Sequence, residues 1–189
     1  MTDDRELTLE EKKELLELAR ATVENAVKGL AEKKPQSKLA GLAFKRGAFV
    51  TLNRNGRLRG CIGNFVSEDS LLETVKDMAI SAAQRDPRFP PVAPYELDDL
   101  EFEISVLSPL KETGDPLQIE VGKHGIFLVS PMGRGVLLPQ VATEYGWDRE
   151  EFLDQTCFKA GLPKGAWKEP QTRIFIFSAQ VFGEKDLGE

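Results

Sequence analysis

The sequence predicts an α+β fold: a mostly antiparallel or mixed sheet with packed helices. Three observations point there. An Asn55-Gly56 pair sits between the β-rich runs 48–52 and 57–62, and both residues tolerate the positive φ of a tight hairpin turn. Leu100, Phe102, Ile104 and Val106 alternate with Glu101, Glu103 and Ser105, the period-2 pattern of a strand with one buried face. Helical segments open on capping signatures at Thr8, Ser70 and Asp148, inserted between hairpins rather than alternating with single strands as βαβ units do.

The elements follow in order. Thr8 and Glu11 form a capping box, and Leu15, Leu16, Ala19, Val23, Ala26, Val27 and Leu30 recur at helical spacing, so one amphipathic helix runs to about Gly29–Lys34, closed by Pro35. In a regular two-residue hairpin at Asn55-Gly56, Arg54 faces Arg57, Leu52 faces Arg59 and Val50 faces Cys61. Ser70 and Glu73 open a second helix whose stripe is Leu72, Val75, Ala79, Ala82 and Ala83; its small residues allow close packing on a sheet. The Pro-rich stretch 87–94 reads as an ordered crossing segment, with Phe89, Val92 and Tyr95 seeking burial. Residues 111–116 read as a polar turn, with short strands at Ile119–Val121 and Ile126–Val129 and a return strand from Gly135 to Leu138. A helix from Asp148 stops at Gly161, and one strand spans Arg173 to Phe182.

Bulk properties exclude several function classes. The 189 residues carry a formal charge of −6, so general nucleic-acid binding is not expected. No apolar run approaches the ~20 residues a membrane helix needs, and the polar start Met1–Glu6 has no signal-peptide core, so the expected location is cytoplasmic. Two cysteines, Cys61 and Cys157, make no disulfide framework, and a lone His124 with them has no metal-ligand spacing.

Chemistry concentrates in Leu58-Arg59-Gly60-Cys61-Ile62-Gly63. Strict alternation puts Arg57, Arg59 and Cys61 on one side of their strand. Positive neighbours favour thiolate, the reactive form of cysteine, and Arg57 and Arg59 are candidate ligands for a carboxylate or phosphate. Gly60 and Gly63 flank the thiol, and glycine inside a strand marks a bulge or a close approach. The plainer reading makes Cys61 a small buried hydrophobe and the arginines a solvated face or partners of acidic neighbours. His124 is the one histidine, placed in a turn or at a strand end, where it serves either as a base for Cys61 or as a turn residue bonding a nearby carbonyl. Asp86 and Arg88 lock the turn around Pro87, and Cys157 belongs to a helix's inward stripe.

The same hexapeptide resembles the signature of the AMMECR-domain family. So, in order, do Asp86-Pro87-Arg88-Phe89-Pro90-Pro91, the stretch Glu103 to Pro109, Gly122-Lys123-His124-Gly125, Gly135 to Ala142, Gly146-Trp147-Asp148 and Cys157 to Pro163. Together they span about residues 10–184. The resemblance implies one AMMECR-like domain over 1–189, with a smaller lobe near 110–165. It also implies association with Memo-like or radical S-adenosylmethionine proteins, as in prokaryotic members, and it defines neither a reaction nor a cofactor. Two functions compete. One is an enzyme or enzyme component with a Cys61-centred cleft for a small anionic or modified substrate. The other is a non-catalytic binding or adaptor module for a protein partner, with a nucleic-acid role behind both.

Overall fold

The computed structural model describes residues 5–31 and 34–186. They pack as two units: the described residues up to 109 with those from 180 on, and residues 110–179.

The first unit is a four-stranded sheet in the order β2-β1-β3-β8, with β1 Ala48–Arg54, β2 Arg57–Asn64, β3 Leu100–Leu107 and β8 Ala179–Gly183. β1 pairs antiparallel with both neighbours. Helices α1 (Leu9–Val27) and α2 (Leu71–Gln84) cover one sheet face and bury Val50, Leu52, Phe102, Ile104 and Val106 with Leu15, Val75 and Ala79. That burial drives the unit together. The Thr8 capping box forms in full, and Glu11 also accepts from Gly41 N and pairs with Arg5, which holds its carboxyl down at about 2. At the other end of the sheet Arg20 bridges Glu184 and the Leu100 carbonyl. Leu30, given to the first stripe, lies past the helix end and is exposed.

The second unit has a four-stranded sheet ordered β4-β7-β5-β6, from Lys111–Thr113, Arg173–Phe177, Gly125–Ser130 and Gly133–Leu137. Short α3 (Pro139–Tyr145) precedes α4 (Arg149–Lys159), which packs on β5 and β6. Its core gathers Ile126, Leu128, Phe152, Leu153, Cys157 and Ile174, with Trp147 and Trp167 against it. Gly161 takes φ +73° and ends α4 as expected.

Four local expectations change. Residues 111–113 form a strand, because β7 offers an edge on which even a polar segment can ladder. Residues 119–121 form none: the chain leaves a 3-10 turn at Pro116–Gln118 and buries Ile119 alone. The single strand expected over 173–182 divides at Ser178 into β7 and β8, which belong to different sheets and different units. Tyr95 is 77% exposed, with the Arg54 guanidinium over its ring at 5.7 Å, so a cation rather than a core satisfies its face.

Candidate functional site

The hairpin turn forms as expected, with φ +52° at Asn55 and +72° at Gly56, and Arg54 opposite Arg57. Beyond that the register differs. A β-bulge at Arg59 leaves Asn53 opposite Leu58, but Leu52 opposite Gly60 and Thr51 opposite Cys61. The extra residue inverts the alternation. Arg57 and Cys61 therefore fall on opposite faces, and Arg57, Arg59 and Cys61 do not share a side.

The bulge is explained by what lies on each face. A Cβ on Gly60 would stand 2.2 Å from the Ala82 carbonyl oxygen, so α2 presses directly on the strand there. A Cβ on Gly63 would stand 2.2 Å from the Phe49 ring. The close approaches these two glycines allow are thus made by the protein's own α2 and Phe49. Turning Gly60 inward sends Cys61 to the face away from α1 and α2.

Cys61 is half-buried and its backbone is gripped at both ends. Its N–H donates to Asp86 Oδ2 at 2.9 Å, and its carbonyl accepts from Arg88 Nη2 at 3.2 Å. Asp86 and Arg88, expected to lock only their own turn, do so (Arg88 Nε to Asp86 Oδ1, 2.9 Å) and also cap the outer edge of β2. The Arg88 guanidinium holds the 4%-exposed Asp86 carboxyl far below the usual range.

The arginines are matched by carboxylates. Arg59 lays a two-pronged bond on Glu96, Nε to Oε1 and Nη2 to Oε2, both 2.9 Å. Arg54 reaches the same Glu96 at 3.1 Å and Asp99 at 3.0 Å. With Arg59 the first cause, the Glu96 carboxyl is lowered to about 2. The third Arg59 nitrogen, Nη1, is buried without a partner among the described residues. Arg57 is exposed, and its side chain makes no ion pair or hydrogen bond among the described residues.

On the Cys61 face, three side chains form a row across β2, β1 and β3. Thr51 stands directly opposite both Cys61 and Glu103. Its Oγ1 donates to the Cys61 Sγ at 3.3 Å. Glu103 is half-buried, and burial, followed by the nearby Asp186 charge, pushes its carboxyl above the usual range. Sequence reasoning did not single out Thr51, Glu96 or Glu103 as site residues. The alternation in both strands was visible, but their pairing was not.

His124 belongs to the second unit, in the loop before β5. Its Nδ1 accepts from the Glu120 N–H at 3.1 Å, so the ring is tied to its own turn and Nε2 carries the proton. Burial lowers its pKa, against the raising effect of Glu120. Cys157 is fully buried in the second core, where burial pushes the thiol up.

Among known proteins, the AMMECR1 family model matches residues 16–182. A protein of Methanothermobacter thermautotrophicus is 44% identical over 185 residues, covering 94% of this chain and 96% of its own. One from Thermococcus kodakarensis is 45% identical over 183 residues, covering 90% and 89%. The crystal structure of an uncharacterised protein from Pyrococcus horikoshii is similar with a TM-score of 0.81 at 40% identity, covering 92% and 91%.

Proposed function

The chain belongs to the AMMECR1 family, and from that premise we propose that it acts through Cys61, as a thiol-dependent enzyme or enzyme component. The observation that carries this reading is the setting of the thiol. Its strand is fixed from three directions, by α2 at Gly60, by Asp86 at the Cys61 N–H and by Arg88 at its carbonyl. The residue is half-buried, and its sulfur, free of any disulfide, already holds a hydroxyl donor. A nucleophile held this way loses little orientational freedom on reaction.

The reading revises the ligand. Arg59 is engaged by Glu96 and points away from a role as a bare anion clamp, and Glu101 and Glu103 lie on the Cys61 face. A neutral or cationic group bearing an electrophilic carbon suits that face better than a small anion. The proposed setting is cytoplasmic, with Memo-like or radical S-adenosylmethionine proteins as the partner class. His124 has no step in this reading, since its Nδ1 is committed to its own loop.

One observation favours a second reading, a non-catalytic binding or adaptor module. The exposed Arg57 guanidinium makes no ion pair or hydrogen bond among the described residues, and it offers its donors to a partner's carbonyl or carboxylate. Iodoacetamide labelling of the native protein, resolved by peptide mass spectrometry, separates the two. The thiol reading expects Cys61 to be modified and Cys157 spared. Equal rates, or modification of Cys61 only after unfolding, would leave the binding module standing.

A further inference from the structure

Resting on the thiol reading, we propose that Thr51 and Glu103 are positioning residues of the Cys61 site, with Glu103 receiving the thiol proton by way of the Thr51 hydroxyl. The bulge at Arg59 puts Cys61 opposite Thr51, and the β1–β3 ladder puts Glu103 opposite Thr51 from the other side. Directly opposed side chains on one face of a sheet have Cβ atoms about 4.5–5.5 Å apart, well within reach of a glutamate. The heavy-atom contact from Thr51 Oγ1 to Cys61 Sγ, 3.3 Å, serves a proton moving in either direction.

The step balances without a co-reactant. The Cys61 S–H proton passes to Thr51 Oγ1 as the Thr51 hydroxyl proton passes to a Glu103 carboxylate oxygen swung towards it. A thiolate and a neutral carboxylic acid result, and Thr51 is unchanged. A carboxyl raised by burial holds such a proton better than an exposed one, which suits it to the work. The charged groups around the row are Asp186, which raises Glu103 further, Glu101 paired with Lys185 at 2.7 Å, and Arg88 at the Cys61 carbonyl. Glu103 makes no ion pair among the described residues, so its proton is not fixed by a cation.

The test is the rate of Cys61 modification by iodoacetamide against pH, for the parent, Thr51→Val, Thr51→Ser, Glu103→Gln and Glu103→Asp, each checked by thermal melting. Thr51→Val keeps the shape and removes the hydroxyl. It and Glu103→Gln should each slow the reaction near neutral pH by about tenfold or more, with the profile moved to higher pH, and Thr51→Ser should restore the rate. Modification of the urea-unfolded variants should match the parent. Glu103→Gln reacting faster than the parent would show a carboxylate that merely repels thiolate and would overturn the proposal. So would unchanged rates, or a loss confined to Thr51→Val. A parent Cys61 that reacts no faster folded than unfolded would instead sink the thiol reading itself.

Discussion

Replacing Gly60 with alanine tests the packing that sets the site. The new methyl would stand 2.2 Å from the Ala82 carbonyl oxygen and 3.1 Å from its carbon, so the strand and helix must separate by most of an ångström. Neither side yields easily. Behind Ala82, the core of α2 is fully or almost fully buried at Val75, Ala79 and Ala83. On the other side, β2 is held to Asp86 through the Cys61 N–H. Gly60 has no positive φ, so the cost is overpacking alone, about 1–3 kcal/mol, and more for valine. In a chain of this size that lowers Tm by about 2–12 °C. Arg54→Ala is the comparison: Glu96 keeps both Arg59 bonds, and the Arg54 pairs are open to solvent and screened, so their loss should cost less than the overpacking. Thermal melts and urea titrations of the three variants decide it. A Gly60→Val Tm at or above that of Arg54→Ala would refute the close contact with α2.

Two further outcomes are expected. Glu96→Gln should cost at most about 3 kcal/mol at neutral pH, because the folded carboxyl ionises near 2 against an ordinary 4.5. A lowered carboxyl contributes its stability above its unfolded value and loses it as pH falls through the folded one. The gap between parent and variant in urea titrations should therefore close between about pH 5 and pH 2, and an unchanged gap contradicts the linkage. Gly56→Ala meets no atom within 4 Å but must hold φ +72°, so its cost of about 1–2 kcal/mol is backbone strain; a melt identical to the parent would contradict that.

What could be read in the sequence was local. Asn55-Gly56 announces its turn because both residues carry the needed φ themselves, and Thr8, Ser70 and Asp148 cap their helices with their own side chains. The bulge is different. It depends on Ala82 pressing on Gly60, a contact between residues of separate elements, so strict alternation misplaced Arg57 against Cys61. Nothing in the sequence singles out Glu96 within Pro94–Asp99. It became the anchor of two arginines only because the crossing segment brings it beside β1 and β2. Likewise Thr51 and Glu103 acquire meaning from a ladder whose partners are 52 positions apart, and the break at Ser178 follows from two sheets competing for one extended run.

The central claim is that the fold makes Cys61 a reactive thiol. The most direct measurement is the second-order rate of iodoacetamide modification of Cys61 in the native protein at pH 7.0, divided by the rate for the same cysteine in urea-unfolded protein. The account predicts a ratio above one for Cys61, with no native modification of the buried Cys157 on the same timescale. A Cys61 ratio at or below one would contradict it and make the thiol a filler beneath the Thr51 hydroxyl.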